Sequence, residues 1–309
     1  MPDNKAVNVN SSKSTVPLKN MIMVRFSLMS IMLAISSLSF GQFARGNSWS
    51  YTVYVGASNM LGDLGGSDLI GSSSIRVIDM KAFRPLLGLG LQRHRNNVNY
   101  TADIIITRLV GDDAFTDAPG RQIRNLSVRT DLVVASLKAE ILPFKHNKVL
   151  KGIYINGGVG AFYFQPKANY NDDWYKLRPL GTEGQNYLAD QNSYKLVSMV
   201  IPFGYGYKFQ LNRWSTLKLD VSLRKTFTDY LDDVSGLYAN NSSISESGGS
   251  IAGILADRSV SGMTEGSQRG NGQSNDNYFL IGLKFERTLG KSKYDDCTNF
   301  EIPSRRKKH

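Results

Sequence analysis

Cysteine occurs once in the 309 residues, at Cys297, and histidine and tryptophan three times each. A single thiol cannot pair within its own chain, which excludes a disulfide-stapled scaffold. His94, His146 and His309 with one cysteine leave too few ligands for a transition-metal centre. After residue 41 no apolar run approaches the roughly 18 residues that a membrane-crossing helix needs. No nucleic-acid-binding motif accompanies the formal charge of +11, and much of the excess sits in the tail KSKYDDCTNFEIPSRRKKH. We therefore expect no nucleic acid as partner.

What is present begins with an export signal. MIMVRFSLMSIMLAISSLSFGQ holds Arg25, an apolar run from Phe26 to Ile35, and Ser39 and Gly41 ahead of Gln42, the layout of a secretory signal peptide. The expected organisation is a non-translated or disordered extension over 1–20, a signal peptide over 21–41, a folded body over 42–288 and a basic tail over 289–309. The absence of cysteine at the cleavage point excludes a lipoprotein. Residues 1–41 carry Lys5, Lys13, Lys19, Arg25 and Asp3, so their removal lowers the charge to about +8.

Beyond residue 48 the chain alternates apolar and polar residues, the period of a strand whose two faces meet different surroundings. In STLKLDVSLRKTF, Leu217, Leu219, Val221 and Leu223 share one face; Lys218, Asp220, Ser222 and Arg224 share the other. The pattern predicts eight strands at about 49–59, 83–93, 98–110, 126–142, 151–165, 194–210, 215–229 and 277–288. Connections 94–97, 143–150 and 211–214 are short, whereas 60–82, 111–125, 166–193 and 230–276 are long and polar. A soluble barrel or sandwich shares the alternation. The signal peptide, the alternating connection lengths and aromatics at strand ends favour an all-β, eight-stranded antiparallel transmembrane barrel of the outer membrane, with short periplasmic turns and long outside loops. Candidate girdle aromatics are Trp49, Tyr51, Tyr100, Phe162, Tyr163, Phe164, Phe209, Phe227, Tyr230 and Tyr278.

Eight strands enclose a lumen that side chains fill. The expected inward network is Asp103, Asp131, Lys138, Glu140, Lys218, Asp220, Arg224, Lys284 and Glu286, charges of both signs that neutralise one another and block passage. A porin is therefore disfavoured. His94 and His146 read as solvated turn residues, which removes the base a hydrolase would need. Acidic pairs recur at loop ends, at Asp112 and Asp113, Asp172 and Asp173, and Asp232 and Asp233. Calcium wants six to eight oxygens in a defined loop, and EF-hand spacing is absent. The pairs read as strand ends leaving the membrane for water, with divalent bridging of surface lipid the lesser alternative.

Five stretches carry a resemblance: SNMLGDLGG (58–66), GDDAF (111–115), RNLSVRTD (124–131), DWYKLRPLGTEGQ (173–185) and TFTDYLDDVSG (226–236). Together and in this order they resemble the PorG-like outer-membrane proteins of the Bacteroidetes type IX secretion system. The resemblance implies a barrel without enzymatic activity, cofactor or metal that docks a periplasmic ring of PorK-like lipoprotein and PorN-like protein. The expected partner-binding residues are Cys297, Arg305, Arg306, Lys307 and Lys308, the basic run steering the tail to an acidic surface and the thiol forming a disulfide there. The alternative is a small barrel for lipid or small-ligand handling, or a general structural protein of the envelope.

Overall fold

The computed structural model describes residues 48–64, 80–95, 98–115, 119–144, 147, 150–185, 187 and 193–289. The expected extension and signal peptide lie outside the described residues, as do His146, His309 and the tail residues Cys297, Arg305, Arg306, Lys307 and Lys308.

Among the described residues nine strands form: β1 (Ser48–Leu61), β2 (Arg84–Arg95), β3 (Val98–Asp112), β4 (Ser127–Ile141), β5 (Ile153–Tyr170), β6 (Asp173–Lys176), β7 (Val197–Gln210), β8 (Ser215–Thr226) and β9 (Asn277–Leu289). Eight of them make a closed antiparallel barrel, in which β1 pairs with both β2 and β9, and β4–β5 completes the ring. Following paired residues around the wall, Trp49 leads to Arg93, Tyr100, Ala139, Gly157, Phe203, Leu223 and Phe279, and Phe279 pairs with Asn59. The circuit therefore returns to β1 ten residues from its start, from Trp49 to Asn59. A stagger of this size tilts the strands by about 35–45° and fixes an interior that only side chains occupy.

The ninth strand, β6, is a short hairpin return on the extended end of β5. Asn171 and Asp172 form its turn with φ of 51° and 67°, the left-handed pair that suits a two-residue hairpin. Sequence predicts the fifth strand to stop at 165, where the long polar connection 166–193 begins; pairing with β6 carries it to Tyr170.

The outer wall is apolar. Leu89, Leu137 and Met199 are 62%, 63% and 61% exposed, more bare hydrocarbon than a wall facing water sustains. The band fits lipid, and on it Val221→Arg is expected to cost about 2–4 kcal/mol, against about 0–1 for Leu289→Arg at the end of β9. Reversible urea unfolding in lipid vesicles measures both; equal costs would mean that the wall does not face hydrocarbon.

Inside, the lumen divides into two layers. Towards the short turns it is ionic. Lys218 Nζ contacts Glu286 Oε2 at 2.6 Å, Gln92 Oε1 at 2.8 Å and Glu140 Oε2 at 2.9 Å. Lys208 also pairs with Glu140, and Lys138 with Asp103. Lys284 Nζ lies 2.7 Å from Asp220 Oδ1, while the Tyr154 hydroxyl donates to Asp220 Oδ2 at 2.6 Å. Gly206 lets Tyr154 lie flat against the wall, because a Cβ there would fall 2.5 Å from the Tyr154 oxygen. A cavity of about 20 Å³ among Thr52, Tyr54, Asp103 and Lys138 is sized for water rather than for a channel. Above this layer, Ile105, Leu109, Leu132, Val134, Phe162, Phe164, Val200 and Leu280 form a dry core.

Three sequence expectations change here. Asp131 faces outward, half-exposed between Arg108 and Lys167, since its position on β4 has the opposite parity to Lys138 and Glu140. Phe162, Phe164 and Tyr278 are buried in the lumen and Tyr230 packs against the same core, so none of the four is a girdle residue. His94 is a strand residue rather than a solvated turn: its Nε2 lies 2.9 Å from Glu286 Oε1 and 2.7 Å from Ser50 Oγ.

Candidate functional site

The four long connections converge on a cap over the dry core. The second contributes a short turn at Asp113–Phe115 and α1 (Pro119–Arg124); the third contributes α2 (Leu177–Leu180); the fourth contributes α3 (Asn241–Gly248) and α4 (Ser250–Ala256). Asn240 starts α3 by accepting the Ser243 backbone N–H on its side chain, the usual role of asparagine at a helix N-terminus. Leu64, Leu126, Leu177, Leu231, Val234 and Leu255, from all four connections, extend the dry core upward. Tyr194 stacks between Phe164 and Tyr230, with centroids 6.2 and 4.5 Å away.

Buried polar groups tie these apolar pieces together. Arg124 grips Asp113 with two bonds, Nε to Oδ2 at 2.8 Å and Nη2 to Oδ1 at 2.6 Å. The same guanidinium donates to the Asp63 carbonyl at 2.9 Å and to the Arg269 carbonyl at 2.5 Å, joining three connections. Asp232 accepts the Asp63, Leu64 and Val234 backbone N–H groups at 2.9, 3.1 and 3.1 Å. Gly62 allows this approach, because a Cβ there would lie 2.8 Å from carboxylate oxygens of both Asp232 and Asp276. Asp233 accepts the Thr182 and Tyr194 hydroxyls, each at 2.5 Å. Arg269 Nη1 donates to Glu183 Oε1 at 2.8 Å and to the Asp233 carbonyl at 2.6 Å. Thr130 on β4 donates to the Leu231 carbonyl, which fixes the cap to the wall.

The acidic pairs therefore need separate readings. Asp172 and Asp173 are solvated, as the sequence suggests, and Asp112 is half-exposed. Asp113, Asp232 and Asp233 are 0–1% exposed and act as internal acceptors. The expectation of a solvated strand end at 232–233 is overturned by the first and third connections, whose Asp63, Leu64, Thr182 and Tyr194 close over the pair. Sequence reading also passes over Arg124, Thr182, Glu183, Tyr194 and Arg269. The first three lie within the stretches that carry the resemblance, which is the signal that could have found them. Arg269 stands in polar loop sequence that offers none, and Tyr194 reads as the start of the strand expected over 194–210, which the structure begins only at Val197.

Among the described residues buried in this cap, carboxylates outnumber guanidiniums. Asp63, Asp113, Glu183, Asp229, Asp232, Asp233 and Asp276 are buried with Arg121, Arg124 and Arg269. Burial is the first cause that pushes Asp229 up to about 8 and Asp233 up to about 6, with neighbouring carboxylates adding to it. Asp232 and Asp276 move the same way, by burial and then by mutual repulsion with nearby carboxylates. Groups raised above their unfolded value of about 3.9 favour the folded state most when protonated, and that contribution is lost as pH rises through the folded pKa. The cap is thus expected to tighten between pH 8.5 and pH 5.5. Slower proteolysis within 240–270 at the lower pH, with a protease whose activity is matched at both, is the result that checks it.

At the opposite end, Arg93, Arg95, Lys151, Arg213 and Arg287 are exposed, and among the described residues there no carboxylate is exposed. Arg93 lies over the Trp49 ring at 5.7 Å. Glu140 and Glu286 face the lumen at this level and are committed to its lysines. The rim is thus basic on its outside and internally neutralised.

Among solved structures, the attachment invasion locus protein Ail of Yersinia pestis is similar at 8% identity and a TM-score of 0.36, over 79% of this chain and 99% of that one. Neisserial surface protein A is similar at 7% identity and a TM-score of 0.34, over 79% and 96%. The translocator domain of the autotransporter NalP from Neisseria meningitidis gives 8% identity and a TM-score of 0.22, over 87% and 98%. No curated protein sequence matches the chain. A family described as a domain of unknown function, DUF6089, matches residues 27–246, more than half of the chain, and the protein belongs to that family.

Proposed function

We propose that this barrel is a non-enzymatic outer-membrane subunit of the type IX protein export machinery, docking a periplasmic ring of PorK-like lipoprotein and PorN-like protein. The observation that carries the reading is a filled barrel whose short-turn end exposes basic side chains and, among the described residues, no carboxylate. A lumen packed with ion pairs offers no route for cargo, so the working parts are surfaces. The apolar band suits a bilayer and an even-stranded barrel of this kind suits the outer membrane, with short turns in the periplasm. Ser48 opens β1 and Leu289 closes β9 at the short-turn end, so the tail bearing Cys297, Arg305, Arg306, Lys307 and Lys308 continues from the basic rim. Such a surface attracts an acidic partner. The residues of the PorG-like resemblance support the export role from the other end, because they build the cap.

Affinity capture of the tagged protein from outer membranes is the test. Recovery of the ring proteins is expected, reduced at least tenfold by combined Arg93→Glu, Arg95→Glu and Arg287→Glu in a barrel that still shows heat-modifiable migration. A heavier, reductant-sensitive species that disappears in Cys297→Ser is expected on non-reducing gels. Failure to recover any ring component with the wild-type chain would overturn the reading.

A further inference from the structure

On the outer face of β3, β4 and β5, just above the apolar band, cations gather around one carboxylate. Arg108 Nε lies 2.7 Å from Asp131 Oδ1, Lys167 Nζ lies 2.9 Å from Asp131 Oδ2, and Arg129 Nη2 lies 3.9 Å from the same oxygen. Arg129 is directly opposite Lys167 across the β4–β5 ladder, and Lys167 is directly opposite Lys176 across β5–β6. Like charges in directly opposed positions repel, and here they follow one another across three strands. Four cations with one carboxylate leave a positive surplus on this face. An anion is the component that would complete the row.

The chemistry of that anion follows from what lies beside and below it. Arg129 packs on the Trp174 ring at 4.1 Å, and Trp174 is 47% exposed, an aromatic surface suited to the C–H face of a sugar ring. One outward position below Arg108 and Asp131 are Ile106 and Val133; below them the same wall dips. The small side chains of Ala102 and Ala135 leave a concavity of about 690 Å³ bounded by Ile104, Leu137, Val159 and Met199. The row and the hollow share three strands, so one amphiphile can fill both.

We propose that this face binds a phosphorylated glycolipid of the outer leaflet, its phosphate held by Arg108, Arg129, Lys167 and Lys176 and an acyl chain lying in the hollow over Ala102 and Ala135. Asp131 presets the cations and competes with the phosphate for them. The inference rests on the outer-membrane reading above, since it needs the long loops to face outward.

Native mass spectrometry of the purified full-length protein, released from detergent with bisphosphorylated lipid A, tests it. Retention is expected to fall at least tenfold in Arg108→Gln with Lys167→Gln, and to fall when the lipid A is dephosphorylated. Asp131→Asn is expected to raise retention, an outcome that a merely structural network would not give. Ala135→Leu, which fills the hollow, is expected to lower it while heat-modifiable migration is unchanged. Retention unaffected by Arg108→Gln with Lys167→Gln, or equal for dephosphorylated lipid A, would overturn the site. Equal retention of phosphatidylglycerol would overturn the glycolipid, and full competition by millimolar inorganic phosphate would mean an anion site without a lipid. Fractionation of the protein away from the outer membrane would sink the location instead, so the two failures are distinguishable.

Discussion

Arg124→Met is expected to open the cap without opening the wall. The guanidinium is 1% exposed and holds Asp113 by two bonds, with the Asp63 and Arg269 carbonyls taking the rest. Methionine fills much of the same volume but leaves the Asp113 charge buried and unpaired, and removing one partner of a buried pair costs about 3–5 kcal/mol. No barrel strand relies on this side chain for its ladder. Limited proteolysis should therefore cut within 227–276 at least a hundredfold faster in the variant, while heat-modifiable migration of the barrel persists. A variant as protected as the wild type would mean that the apolar residues, not the ionic ties, hold the cap. Double replacement of Asp113 and Arg124 by Leu and Met is expected to recover part of the loss, because no lone charge then remains.

Lys218→Met should strike the wall itself. Lys218 is 2% exposed and stands between Glu140 on β4 and Glu286 on β9, with Gln92 of β2 completing its shell. Without the ammonium the two carboxylates lose their shared partner, although Lys208 remains beside Glu140 and His94 beside Glu286. Those residual partners place the expected cost at about 3 kcal/mol, the low end for a broken buried pair. The check is urea unfolding in vesicles. Addition of Glu140→Gln to Lys218→Met should restore stability relative to the single variant; a further loss of the same size would show that the two residues act independently.

The wall was legible because its physics is local. Leu217, Leu219, Val221 and Leu223 against Lys218, Asp220, Ser222 and Arg224 already separate hydrocarbon from lumen, and the structure keeps that division. Asp131 misleads because charge does not report parity: Ser136, Lys138 and Glu140 share the inward phase of β4 with Thr130 and Leu132, whereas Asp131 has the opposite phase. Aromatics at strand ends misled for a related reason. Phe162 and Tyr163 are adjacent in sequence, yet one is 1% and the other 45% exposed, because position along a strand says nothing of face.

The cap was not legible, since its determinants are non-local. Asp232 reads as wet beside Asp233, and only the return of Gly62, Asp63 and Leu64 to its side, some 170 residues away in sequence, makes it dry. Asp233 adds a backbone φ of 60°, a left-handed setting that Asp tolerates better than most residues. No period or propensity announces either fact. The resemblance stretches did mark the right residues, although they gave no hint that those residues touch.

The ionic layer of the lumen also orders events in time. Its pairs span the interior: Lys218 to Glu140 bridges 78 residues and Lys218 to Gln92 bridges 126. Neighbouring strands can zip their ladders in any sequence, but these side chains meet only after the sheet has curled far enough to bring β2, β4 and β8 together around one axis. Until then Glu140 lacks both Lys218 and Lys208, whereas pairs between neighbouring strands, such as Lys138 with Asp103 and Lys284 with Asp220, can already form. Closure of the ring and completion of the cross-barrel set around Lys218 are consequently expected to coincide, late in folding, because these contacts are the most distant in sequence.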